Sequence, residues 1–267
     1  MISRICNMED VADDVALRET SAFLAEYASL LSGCGATCIR IEKNTRRMAT
    51  AFGVESDIFI MPGHVTVSVW NTDPAEAVAA SRKTAGCGIS FNLNAQLSRL
   101  SWEVADSHLG LGIAVERFEQ IRKTRPTGKW EVLILTSFAN AAFCRLFGGD
   151  AVAMLIVFLS TLAGYRLKQI MLEDKRDIRL TFLCASFFSA ALSAGGHIFN
   201  IGTTPEIALG TSVLYLIPGV PYINSVSDLI YRHYLCAVSR FLDAAVLTAC
   251  LSAGLCAGMF ILGLKWF

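Results

Sequence analysis

Two prolines three residues apart, Pro218 and Pro221, interrupt an otherwise apolar run from Leu214 to Asn224, Leu-Tyr-Leu-Ile-Pro-Gly-Val-Pro-Tyr-Ile-Asn. Each lacks a backbone donor and clashes with the carbonyl one turn earlier, so a helix built from this run must break or kink sharply. In lipid such a break survives only where protein or a wet cavity satisfies the freed carbonyls. A helix restarting near Pro221 presents unpaired N–H groups and a positive dipole end, with proline tolerated in its first turn. Discontinuous transporter helices hold carboxylates in this way. A kink that only shapes packing is the plainer alternative.

Polar residues gather on and beside the other apolar segments. Asn140, His197 and Asn200 fall within them, Asp150 sits at an outer end, and Asp228, Arg240 and Asp243 cluster near inner ends. Ionisable groups inside a membrane are costly and are candidates for function by default. Asp243 is placed to pair with Arg240 at i,i+3, where a structural ion pair is the commoner use. His197 could relay protons near neutral pH; a neutral histidine bonded to a neighbouring helix explains it equally well.

These residues need a membrane to be informative, and the composition supplies one. A chain of 267 residues that is 54% hydrophobic and only 17% charged does not suit a single soluble fold. Residues 1–130 carry 14 Lys/Arg and 15 Asp/Glu against 9 and 8 in 131–267, so the net neutrality averages two unlike halves and argues for no nucleic-acid partner. Five apolar stretches follow Trp130, at about 131–149, 151–168, 180–200, 207–223 and 241–264. Each approaches the roughly 20 residues that cross a hydrocarbon core. Eleven Lys/Arg fall on one side of these segments and two, Arg145 and Lys265, on the other. The positive-inside rule then places the N-terminal half in the cytoplasm and Lys265-Trp266-Phe267 outside. With no basic n-region or apolar h-region behind Met1, no signal peptide is expected. The small residues Gly254 and Gly258 in the fifth segment, and Ser186, Ala190, Ser193 and Ala194 in the third, are packing signals.

Residues 1–128 read as a cytoplasmic α+β domain and 129–267 as a five-helix transmembrane domain. Helices are expected over about 9–31, 37–52, 95–108 and 113–123, a hairpin from Asp57–Met61 and His64–Trp70 through Pro62-Gly63, and a further strand around 88–93. Catalytic signals are poor. Gly86-Cys-Gly88 and Gly110-Leu-Gly112 lack the remaining glycine of a nucleotide fingerprint, and no nucleophile motif is present, so no enzyme and no cofactor are expected. Cys34 and Cys38 are one turn apart without a second pair, which favours packing over a shared metal. Arg40, Lys43, Arg46 and Arg47 share a helix face that could meet headgroups, a neighbouring domain or, most simply, water.

Four motifs carry a resemblance: Leu31-Ser-Gly-Cys-Gly-Ala-Thr-Cys-Ile-Arg-Ile-Glu42, Phe52-Gly53 before the hairpin, Phe147-Gly-Gly-Asp150 and Ile217-Pro-Gly-Val-Pro-Tyr-Ile-Asn-Ser-Val-Ser-Asp228. Together they resemble the threonine/serine exporter family through nearly the whole chain, the last most specifically. Full-length members carry about ten membrane helices, so this chain is similar to the split type that works with a second small subunit of about five helices. A second copy of the chain is the other candidate partner. Split members are associated with succinate export and fused members with threonine and serine export, both small carboxylates. The resemblance implies an inner-membrane exporter and puts weight on Pro218, Gly219, Pro221, Asn224 and Asp228, with Arg240 and Asp243 as a second group. Asp243 stands where the family pattern leads one to expect Glu. Lacking an ATP-binding motif, such a subunit would draw on an ion gradient. The competing class is a membrane-anchored protein whose cytoplasmic domain senses a metabolite.

Overall fold

The computed structural model describes residues 8–124, 127–198 and 202–262. The chain is mostly helical and divides into two compact units, Met1–Arg125 with Val220–Phe241, and Pro126–Gly219 with Leu242–Phe267. Lys265, Trp266 and Phe267, expected outside the membrane, lie outside the described residues.

The first unit opens with α1 (Met8–Gly33) and α2 (Cys38–Ala51), followed by β1 (Glu55–Met61), β2 (His64–Trp70) and β3 (Val78–Lys83), then α3 (Phe91–Asp106) and α4 (Leu111–Arg122). The sheet is antiparallel in the order β1-β2-β3, with Ile60 opposite Val65 and Val69 opposite Val78. Strict alternation puts Val65, Val67 and Val69 on one face, all fully buried with Leu24, Tyr27, Ala28 and Leu31 of α1. Gly63 closes the two-residue turn with a φ of +81°, a conformation that favours glycine.

The strand expected around 88–93 does not form. Ser90 instead caps α3, its hydroxyl accepting from Leu93 N–H at 3.3 Å. Leu93, Leu97, Leu100 and Val104 carry a helical stripe, and the last three are buried. The third strand comes earlier, from Val-Ala-Ala-Ser-Arg-Lys, which has no run of large apolar residues to announce it. It pairs because β2 offers an open edge, and Ser29 of α1 ties it down through a 2.7 Å hydrogen bond to the Lys83 carbonyl. The basic face of α2 is turned inward in part. Arg40 bonds Asn94, Asn44 bonds Ser98 and Arg47 bonds Ser101, a ladder in step with α3, while Arg47 also lies 3.6 Å over the Trp102 ring.

The second unit holds α5 (Lys129–Leu146), α6 (Ala151–Glu173), α7 (Ile178–Ile198) and α8 (Pro205–Thr211), with the larger part of α10 (Tyr234–Ile261). Among the described residues, α6, Ile178–Gly196 of α7 and α10 are long and apolar enough to cross a membrane. A fourth joins them if the bent pair Pro205–Leu216 and Gly219–Ile230 counts as one span. Helix α5, with Lys129, Glu131 and Arg145 among its 18 residues, is not one of them.

Small and polar residues set the packing. A methyl at Gly254 would overlap Ser186 Oγ and the Leu183 carbonyl, and one at Gly258 would lie 3.0 Å from Ala190 Cβ, so the two small-residue stripes face each other. Asn140 donates to Thr161 Oγ1 at 2.6 Å and to the Thr211 carbonyl at 3.1 Å.

Candidate functional site

The apolar run around the prolines is not one helix. After α8 comes a single 3₁₀ turn, Leu214–Leu216, then Ile217-Pro218, and a new helix α9 spans Gly219–Ile230. Pro218 is buried, and Pro221 sits in the first turn of α9, where a missing N–H leaves no hydrogen bond unmade. The Gly219 N–H turns back to the Ile217 carbonyl at 2.8 Å. The unit boundary falls here, with Pro218 and Gly219 in the second unit and Val220 to Phe241 in the first.

Along α9 the polar residues Asn224, Ser225 and Asp228 share one face, and all three are buried. They meet the loop between α1 and α2. Gly35, at a φ of +88°, turns this loop so that its backbone groups are exposed to side chains from far along the chain. Asn224 donates to the Gly35 carbonyl at 2.8 Å, and Arg240, in the second turn of α10, donates to the Ala36 carbonyl at 2.9 Å. Asp228 Oδ1 accepts from the Cys38 N–H at 2.8 Å. Thr37 occupies the N-cap position of α2 but supplies no side-chain cap. Asp228 takes its place, with its negative charge at the positive end of the helix.

Arg240 Nη1 lies 2.9 Å from Asp228 Oδ2, and the carboxylate is fully buried while the arginine side chain is 21% exposed. The charges are in contact, yet neither of these two atoms has an aligned hydrogen bond. Around this pair, Ser225 donates to the Ala237 carbonyl, the His233 N–H donates to the Asp228 carbonyl, and the His233 ring lies 3.6 Å from Glu42. Cys236 Sγ lies 3.5 Å from the Ile60 carbonyl oxygen. The thiol of Cys38 is hydrogen-bonded to Cys236, which together with burial raises its pKa far above the ordinary thiol range.

The remaining expected residues lie apart from this cluster. Asp243 belongs to the second unit, is exposed, and does not pair with Arg240, whose carboxylate partner is Asp228. Two turns of α10 carry Arg240 toward α9, where the fully buried Asp228 carboxylate lies in contact with its guanidinium. Asp150 caps α6, accepting from Ala153 N–H at 2.6 Å, and its other oxygen accepts from the Thr203 N–H and hydroxyl at 2.7 and 2.8 Å. Those bonds, led by the Thr203 N–H, hold its carboxyl down at about 2. His197 lies in α7 with its side chain outside the described residues, as is all of Asn200.

Two chain segments about 190 residues apart thus converge, the Gly35–Cys38 loop and the Asn224–Arg240 hairpin. A family model described as "Putative threonine/serine exporter" matches residues 22–262, a stretch that contains both. The chain belongs to this family. Two relatives named "Probable succinate transporter subunit YjjP" are similar over almost their full length. One, from Klebsiella aerogenes, is 26% identical over 258 residues, covering 95% of this chain and 98% of that protein. The other, from Escherichia coli K12, is 26% identical over 235 residues, covering 86% and 90%. No solved structure matches the chain.

Within this exporter-family chain, the sequence pointed to Asn224, Asp228 and Arg240 but not to what they hold. The α1–α2 loop, His233, Glu42 and Cys236 went unassigned. The available signal was the quoted Ser-Gly-Cys-Gly-Ala-Thr-Cys run, whose two glycines mark a turn but name no partner.

Proposed function

We propose that this chain is one subunit of an exporter of small carboxylates, most specifically a dicarboxylate such as succinate. It is not an enzyme. It sits in the bacterial inner membrane with its N-terminus cytoplasmic and its C-terminus periplasmic, and works with a second small membrane subunit or a second copy of itself. The observation that carries the reading is the interrupted helix at Pro218 leading into a helix whose polar face buries Asn224, Asp228 and Arg240's partner contact. A plain anchor needs no interruption, since freed backbone groups cost free energy in an apolar setting.

The names of the two relatives favour succinate, and the lysine/arginine asymmetry favours the orientation. In this reading the backbone freed at Ile217-Pro218 and the first N–H groups of α9 lie near the carboxylate path, with Pro218, Gly219 and Pro221 shaping it. Asn224, Asp228 and Arg240 tie that helix to the α1–α2 loop, so the cytoplasmic domain moves with it. The family's description favours a second reading, export of threonine or serine by the same route.

Efflux from loaded cells separates these readings. Cells lacking the chain are compared with cells in which it is restored, alone and with the second subunit, for succinate and for threonine. Restored efflux of succinate alone supports the first reading, and of threonine alone the second. Unchanged efflux of both refutes the proposal.

A further inference from the structure

Helix α9 is amphipathic in the reverse of the usual sense for a helix packed on a soluble domain. Its polar residues Asn224, Ser225 and Asp228 are buried, whereas Ile223, Val226, Leu229 and Ile230 are each more than half exposed. At 100° per residue these apolar residues fall opposite the polar ones. The exposed face continues across the turn into Leu235 and Val238 at the start of α10, also more than half exposed, and no exposed charged residue lies within Gly219–Ile230 or Tyr234–Val238.

The length of α10 says what covers this face. Its 28 residues span about 42 Å at 1.5 Å per residue. A hydrocarbon core is only about 30 Å thick. The excess of about 12 Å corresponds to roughly eight residues, and the first unit claims just the segment Tyr234–Phe241. That segment and the turn before it are then at headgroup depth. Tyr231 and Tyr234, both exposed, flank Arg232 at this turn, the amphipathic aromatic and basic composition found where a membrane meets water.

We infer that Ile223, Val226 and Ile230 of α9, with Leu235 and Val238 of α10, seat in the headgroup–acyl boundary of the cytoplasmic leaflet, making 219–238 an interfacial membrane element. Its buried side holds the α1–α2 loop through Asn224 and Asp228, so this lipid contact fixes where the loop stands relative to the bilayer. The inference rests on membrane insertion alone and holds for any exported substrate.

Photolabelling of the full chain in lipid nanodiscs tests it. Two diazirine phospholipids are used in parallel, one reactive near the headgroup and one at the acyl terminus, and adducts are located by peptide mass spectrometry. The expected result is headgroup-probe adducts within 219–238 and acyl-terminus adducts in the middles of α6 and α10. Strong acyl-terminus labelling of 219–230 would overturn the interfacial placement. Adducts on α6 and α10 with none in 219–238 from either probe would hand the face to a protein partner and overturn the lipid assignment. If α6 and α10 also remain unlabelled, membrane insertion itself is refuted.

Discussion

Removing the Asp228 carboxylate tests the cluster most directly. Asp228→Ala strips the partner from Arg240 and the cap from α2. Breaking a buried ion pair by deleting one member costs about 3–5 kcal/mol. The arginine side chain is 21% exposed and regains some hydration, which favours the low end, about 3 kcal/mol. Loss of the cap adds about 1 kcal/mol. The total of about 4 kcal/mol is a large share of the roughly 5–15 kcal/mol that stabilises a domain. Asp228→Asn keeps an oxygen for the Cys38 N–H and so should lose only the charge contribution. The double variant Asp228→Leu/Arg240→Met leaves no charge unpaired and should cost less than the sum of its single changes by about 1–3 kcal/mol. Thermal unfolding of the full chain in detergent measures the totals. Hydrogen exchange in a peptide covering residues 34–42 isolates the cap, because only the Cys38 amide is held by Asp228 there. Exchange at that amide should rise at least about fivefold in Asp228→Ala and stay low in Asp228→Asn. Costs that add within about 0.5 kcal/mol, with unchanged exchange at Cys38, would refute the coupling argued from the 2.9 Å contact.

Other outcomes follow from the same geometry. Asp228→Asn should lower succinate efflux while membrane-inserted protein, measured by immunoblot, stays level; wild-type efflux would remove the carboxylate from the transport mechanism. Gly254→Ile drives a branched side chain into the Leu183 carbonyl and should destabilise by about 3 kcal/mol, read as a fall in melting temperature. Gly210→Ala, at a position with open space, is the control. Asp150 has its folded pKa depressed, so its contribution to stability is present above the unfolded value near 3.9 and is lost as pH falls through about 2. Asp150→Ala should therefore lower the melting temperature at pH 6, with the difference from wild type shrinking in acid.

Much of this was legible from residue order alone, because it depends on neighbours in the chain. Val65, Val67 and Val69 alternate, so a strand follows from side-chain period. Pro218 and Pro221 deny the backbone its donors wherever they are placed, so the interruption follows too. Gly254 and Gly258 share one helix face, which marks a close approach but not its partner. What escaped is what distant segments decide. Strand β3 owes its existence to the edge of β2, and its own small residues carry no period-two signal. Arg240 has an acidic residue three positions on at Asp243, the local pairing that sequence spacing suggests, yet tertiary packing gives it Asp228.

By itself, then, the sequence determined the three long apolar helices α6, α7 and α10, the hairpin, the helix break and the family to which they belong. Only the tertiary structure decided that residues 220–241 are bound to the α1–α2 loop, as an Asn, an Asp and an Arg close on three backbone groups 189 to 204 residues away. The reason is that a buried polar side chain must find a partner, while nothing in its own position along the chain says which one is near.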